Sequence, residues 1–255
     1  MAMRGVALVA WPSEALVAPC AERPMPIHLH RDLESISRQI IEVGSLVEDS
    51  VNKAIEAVIH RRTDLAEEVI ALDARIDELE VELEESVLKA LALHQPVAGD
   101  LRYLISVLKL NNDLERMGDG AVTMAERALA LAKFERLDVD INLQSMSDLV
   151  REMVRGCLDA LVMRSASHAR RVLAQDDRVD DEHRRNFSVL ISSMKLDPEN
   201  VDRAVNLMSV SRALERVADL ATNVAEDVIF LVEGEVVRHR LAWAKEGRLP
   251  KTSRR

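Results

Sequence analysis

Two segments one hundred residues apart read alike. LERMGDGAVTMAERA begins at Leu114 and LERVADLATNVAEDV at Leu214. The likeness extends over a helical face. Val107, Leu110, Leu114, Met117, Ala121, Met124 and Ala128 are matched at an offset of 100 by Leu207, Val210, Leu214, Val217, Ala221, Val224 and Val228, all apolar. Spacings of three and four put each set on one side of a helix. Further upstream the offset becomes 103, so that Leu46, Val47, Val51, Ala54, Ile55 and Val58 match Leu149, Val150, Val154, Cys157, Leu158 and Leu161. A three-residue deletion separates the two registers. A repeat of this length means that a whole folding unit occurs twice.

Each unit carries three helical patterns. In the first, Leu33, Ile36, Ile40, Val43, Val47, Val51, Ala54 and Val58 define one helix. Leu65, Val69, Leu72, Ile76, Leu79 and Leu83 define a second, running to about Leu93, and the third is the face named above. Pro96 ends the second helix, because proline disfavours helix in the residue before it. Pro198 stands ahead of the sixth helix in the same way, with Asp197 placed to cap it. Aromatic residues make up only 2% of the chain, and no apolar run alternates with period two, so no sheet is expected. The fold class is all-α: two tandem, pseudo-repeated antiparallel three-helix bundles, over residues 25–137 and 138–240. The fifth helix is the least regular, with Gln175 and Glu182 where the second has Leu72 and Leu79.

Residues 1–24 fall outside the repeat and read as a disordered leader or a misassigned start, with translation beginning at Met25. Pro12 and Glu14 interrupt its apolar stretch and make it a poor secretory signal. Residues 241–255 form a basic tail. No apolar run reaches the ~20 residues that span a bilayer. Cys20 and Cys157 have neither disulfide-framework nor zinc-site spacing, which fits a reducing cytoplasm.

A net charge of −10 argues against a nucleic-acid binder, which needs a basic face to neutralise phosphates. Part of that charge is arranged in register. Asp73 and Asp77 lie on the second helix, Glu115 and Asp119 on the third. Asp176 and Asp180 repeat the first pair at 103, and Glu215 and Asp219 the second at 100. Like charges four apart on a helix cost about 0.2–0.5 kcal/mol per pair. One such pair is ordinary solvated surface; four in repeat register, with the middle and last helices antiparallel, place four carboxylates on each bundle surface. Converging carboxylates need a counter-ion, and all-oxygen ligation suits Mg²⁺, Mn²⁺, Ca²⁺ or iron rather than zinc.

Arg75, Arg116, Arg178 and Arg216 accompany the acids, either as ordinary ion-pair partners or as groups orienting carboxylates around an ion. Asn223 and Asp227 continue the acidic face of the sixth helix, but their counterparts Thr123 and Arg127 do not repeat the acid, so they are weaker candidates. His183 follows Asp180 by three residues; its counterpart is Glu80, so no duplicated Glu-x-x-His di-iron pattern exists, and His183 is expected on the surface. No nucleophile elbow or phosphate loop occurs, and no catalytic residue is assigned.

The segments QPVAGDLRYLISVLKLNNDLERMGDGAVTMAE, SVSRALERVADLATNVAEDV and VIALDARIDELEVELEE resemble the signature segments of the PhoU family, bacterial regulators of phosphate signalling. The likeness covers about residues 25–240, and MPIHLHRDLE is similar to the family's usual start. The resemblance implies two tandem three-helix bundles, often dimeric, without catalytic turnover. It implies metal ions (iron, manganese or magnesium) on the Glu/Asp-x-x-x-Asp motifs, here Asp73, Asp77, Glu115 and Asp119, then Asp176, Asp180, Glu215 and Asp219. It implies negative regulation of phosphate uptake and of the starvation response in the cytoplasm. The partners would be the ATPase of a phosphate ABC transporter and the sensor histidine kinase of a two-component system, with membrane contact only through them. The competing reading is a carboxylate-bridged di-metal enzyme, an oxidase or phosphohydrolase; the lack of histidine ligands and the surface placement weigh against it. A chaperone for phosphate transport, or a metal-dependent protein at the membrane periphery, is a third.

Overall fold

A computed structural model describes residues 27–237. The leader, residues 1–24, and the tail, residues 241–255, lie outside the described residues. Seven α-helices follow one another: α1 (Ile27–His60), α2 (Thr63–His94), α3 (Ala98–Leu131), α4 (Leu143–Val162), α5 (Ala166–Leu173), α6 (Asp176–Leu196) and α7 (Val201–Glu233). A 3₁₀ turn, Pro198–Asn200, precedes α7, and the described residues form no strand. The first half packs α1, α2 and α3 on one another, and the second packs α4, α5 and α6 on α7.

Among the described residues the expected six helices are therefore seven. The fifth is interrupted between Leu173 and Asp176. Ala169 and Val172 of α5 are buried, and the next buried apolar residue is Val179. Gln175, Asp176 and Asp177 between them offer no apolar side chain to hold a continuous helix on the core. The two aspartates instead open α6, where negative charge in the first turn is favoured. Asp197 behaves as expected: its side chain accepts from the Glu199 N–H at 3.0 Å, with Pro198 at the first position of the turn.

Short connections and satisfied helix ends fix the first bundle. Arg61 takes a left-handed backbone (φ 54°) to reverse the chain from α1 to α2. Its guanidinium donates to the Leu131 carbonyl at 2.8 Å and to that of Phe134, while Arg136 donates to the Ile59 carbonyl at 3.0 Å. The orphan carbonyls at the ends of α1 and α3 are thus met by cations, which also suit the negative end of a helix. In the second half Asn186, fully buried on α6, accepts from the Asn142 N–H at 2.8 Å and sets the start of α4.

The two halves share one core. α3 lies along α7, and α1 reaches α4. The apolar face read from the sequence in α3, from Val107 to Ala128, is buried throughout; in α7 it is buried from Val210 to Val228, with Leu207 packed against it half-buried. Glycine allows the close approaches. A Cβ on Gly44 of α1 would stand 2.8 Å from Leu158 Cδ2 of α4, and one on Gly120 of α3 2.8 Å from Val217 Cγ2 of α7. Arg151 of α4 and Glu56 of α1 add an ion pair at 2.5 Å across the halves. Cys157 is a fully buried thiol, and burial pushes it well above the ordinary thiol range, so it packs as a small apolar side chain. No helix among the described residues is long and apolar enough to cross a membrane.

Candidate functional site

α2 and α3 carry the first acidic group. Asp73 and Glu115 are half-buried, Asp77 and Asp119 exposed. Burial raises the Asp73 carboxyl above its ordinary range, and the charges of Asp77 and Asp119 raise it further. Burial likewise raises Glu115, followed by Asp119, Asp77 and Glu80, with Arg116 acting in the opposite sense. Glu80 is raised by burial, then by Glu84 and Asp77. Several of these influences cross from one helix to the other, so the acids of α2 and α3 share one face. Glu80, one turn beyond Asp77, belongs to that face although the duplicated motif does not contain it; its heptad position beside Glu115 is the signal that would have found it.

α6 and α7 carry the second group. The Asp219 carboxyl is pushed up to about 6, first by burial and then by Glu215, Asp176 and Asp180. Much of the Asp219 residue surface is open to solvent, yet its carboxyl lies against enough protein for burial to lead. Because α5 and α6 are separate, Asp176 sits in the opening turn of α6, whereas Asp73 sits within the continuous α2.

A polar pair underlies each face, in equivalent positions. In the first half the buried Asn111 amide donates to the Glu80 main-chain carbonyl at 2.8 Å. In the second, Ser211 replaces Asn111 and His183 replaces Glu80, and His183 Nδ1 lies 2.9 Å from the buried Ser211 hydroxyl. His183 is therefore not the free surface residue expected: it is half-buried, hydrogen-bonded to Ser211, and its ring faces that of Phe187 at 5.8 Å.

The accompanying residues divide. Arg75 pairs with Glu78 at 3.0 Å and Arg116 with Asp113 at 3.6 Å, neither with the duplicated acids, while Arg178 and Arg216 make no ion pair among the described residues. Asn223 is half-buried one turn beyond Asp219. Asp227 leaves the acidic face altogether: it is 2% exposed and turns to Lys109 of α3, 3.9 Å away, whose ammonium lies over the Phe230 ring.

The donor set is all carboxylate, the chemistry of a hard cation. No three Asp, Glu, His or Cys side chains among the described residues form a group able to hold a metal ion as they stand. What the fold gathers on each face is negative charge, including half-buried carboxyls held above their ordinary range.

With that geometry in place, the chain can be compared with known proteins. Two PhoU domains match it, over residues 40–128 and 143–228. The chain belongs to the PhoU family. The two domains coincide with the two halves of the fold, and each contains one of the acidic faces. Among PhoU relatives, the phosphate-specific transport system accessory protein PhoU homolog of Aquifex aeolicus is 41% identical over 83% of this chain and 96% of its own length. The crystal structure of PhoU from Pseudomonas aeruginosa superposes with a TM-score of 0.79 at 36% identity, covering 81% of this chain and all of that one. The phosphate transport system regulatory protein PhoU from Streptococcus pneumoniae gives a TM-score of 0.75 at 28% identity, over 82% of this chain and 99% of that one.

Proposed function

We propose that this PhoU protein is a regulatory accessory protein of phosphate transport that represses phosphate uptake and the starvation response while phosphate is plentiful. The observation that carries this reading is the match of both halves to PhoU domains, in a chain spanning nearly the whole length of relatives named as accessory or regulatory proteins of phosphate transport. In this reading the protein works in the cytoplasm as an adaptor without turnover. It joins the ATPase of a phosphate ABC transporter to the sensor histidine kinase of a two-component system, and it does so as a homodimer.

The acidic faces are the metal-binding surfaces of that adaptor. Asp73, Asp77, Glu115 and Asp119 would hold ions on one half, and Asp176, Asp180, Glu215 and Asp219 on the other. Iron, manganese and magnesium all suit oxygen donors, and a bound cation would offset both the burial and the mutual repulsion that raise Asp73, Glu115 and Asp219.

A phosphate-starvation reporter in cells lacking the gene, grown in ample phosphate, tests the regulatory role. The reporter is expected to switch on, and to be silenced again by the wild-type gene; a reporter that stays silent without the gene overturns the reading. The chain with Glu115, Asp119, Glu215 and Asp219 all replaced by alanine tests the metal sites. It should keep its helical content and lose bound metal, and undiminished metal in the purified variant removes that part of the proposal.

A further inference from the structure

Away from the acidic faces, two adjoining cavities lie on the seam between the halves. One, of about 570 Å³, is lined by residues of α1 with Tyr103 of α3 and Arg164 at the end of α4. The other, of about 390 Å³, shares Tyr103 and Arg164 and is closed by the start of α3 and the end of α7. Both fall in the size range of small-molecule sites. Three arginines line them: Arg38 in the first, Arg102 in the second and Arg164 in both. In a chain of net charge −10, that places cations where both domains meet.

Two of the arginines rest on neighbouring groups. The Arg164 guanidinium lies over the Tyr103 ring at 5.2 Å. Arg102 lies against the backbone of Gly234, where a Cβ would meet its Nη1 at 2.0 Å and where φ is +73°. Arg38, Arg102 and Arg164 make no ion pair among the described residues. Of the two acids on the rim, Glu34 is engaged by His30 at 3.1 Å, and Asp100 stands in the first turn of α3. Two non-glycine residues beside the cavities, Arg164 (φ 47°) and Ala98 (φ 48°), hold left-handed backbones. Such conformations cost energy and concentrate where a local shape is required.

The geometry points to an anion site: a cleft between the two PhoU domains that takes a small ligand bearing two or more phosphate groups. Guanidinium groups suit phosphate oxygens, and Arg38 and Arg102, placed in different cavities, call for a ligand with more than one anionic group. Occupancy would tie α1, α3 and the ends of α4 and α7 together. The site is separate from the carboxylate faces and stands or falls independently of their metal content.

Calorimetric titration of the full chain in the presence of a chelator, with inorganic phosphate, pyrophosphate and ATP as probes, tests this. Pyrophosphate and ATP are expected to bind saturably, one per chain, and inorganic phosphate more weakly. Arg38→Gln and Arg164→Gln should each weaken pyrophosphate binding about tenfold or more, the loss expected for a charged hydrogen bond. Arg155→Gln, an exposed arginine of α4 outside both cavities, should leave it unchanged. Circular dichroism establishes that each variant is folded; should Arg164→Gln not fold, exposed Arg38 on α1 decides alone. Absence of saturable binding by any probe, or equal pyrophosphate affinity in the folded arginine variants and wild type, overturns the assignment. Phosphate binding as tightly as pyrophosphate overturns the requirement for two groups.

Discussion

Gly120 of α3 and Val217 of α7 touch backbone to side chain: a Cβ at Gly120 would stand 2.8 Å from Val217 Cγ2. Valine is stiff at χ1 and has little room to yield. Gly120→Ala gains about 1 kcal/mol of helix propensity and loses about 1–3 kcal/mol to overpacking. The net expectation is destabilisation in denaturant unfolding. Val217→Ala in the Gly120→Ala background should recover part of the loss, giving a non-zero coupling in a double-mutant cycle. Additive effects would mean that the helices part easily at this point.

The acidic faces make the metal-free protein sensitive to pH in a direction opposite to that of a salt-bridged carboxylate. The Asp219 pKa is about 6 in the folded chain against 3.8 for the free side chain. The folded state therefore binds the proton more tightly, and the penalty of ionising Asp219 is present above pH 6 and removed as pH falls towards 4. Asp73 and Glu115 act in the same sense. Chelated protein is expected to melt at higher temperature at pH 5 than at pH 7.5. Asp219→Asn should raise the melting temperature at pH 7.5 by about 2–4 °C, corresponding to roughly 1 kcal/mol once solvent screening is allowed for. A variant less stable than wild type at pH 7.5 would contradict this.

Asn111 ties α3 to the main chain of α2 through the Glu80 carbonyl at 2.8 Å. Asn111→Leu removes this second bond while the Glu80 carbonyl keeps its helical partner within α2, so it should cost about 0.5–1.5 kcal/mol, measured by chemical denaturation. Ser211→Ala, at the equivalent position, should cost less, because half-buried His183 retains access to water.

Lys109 and Lys53 both approach carboxylates, with different expected consequences. Lys53 reaches the exposed Asp49 and Glu68, at 2.9 and 3.1 Å. Lys109 reaches Asp227, which is 2% exposed, and also covers the Phe230 ring. Lys53→Ala should cost less than about 1 kcal/mol. Lys109→Ala should cost about 1–3 kcal/mol, because it loses both a charged contact to a buried carboxylate and the contact of the ammonium with the Phe230 ring. Equal losses in parallel unfolding experiments would place Asp227 in a more polar setting than its burial indicates.

The sequence made the repeat legible because core positions at spacings of three and four survive in both copies, and the apolar set from Val107 to Ala128 is buried as that spacing requires. It did not reveal the break between α5 and α6. No glycine or proline marks it, and a polar triplet, Gln175 to Asp177, is compatible with one long helix when read alone. The duplicated acids were legible because they recur in register; Glu80 was not, because its counterpart is His183, and a search for repeated carboxylates passes over it. His183 and Asp227 were misread for a related reason. Position on a helical wheel does not say that Ser211 waits beneath one or that Lys109 of a distant helix meets the other.

The shared seam of α3 and α7 has a further consequence. Each half uses the last helix of the other as part of its wall, so the duplicated unit is in effect an obligate dimer written into a single chain. Its association step is intramolecular, and the folding of that seam does not depend on protein concentration. Cleavage anywhere in residues 132–142 turns that step into a bimolecular one, so a nicked chain should lose the seam on dilution under conditions where the intact chain keeps it.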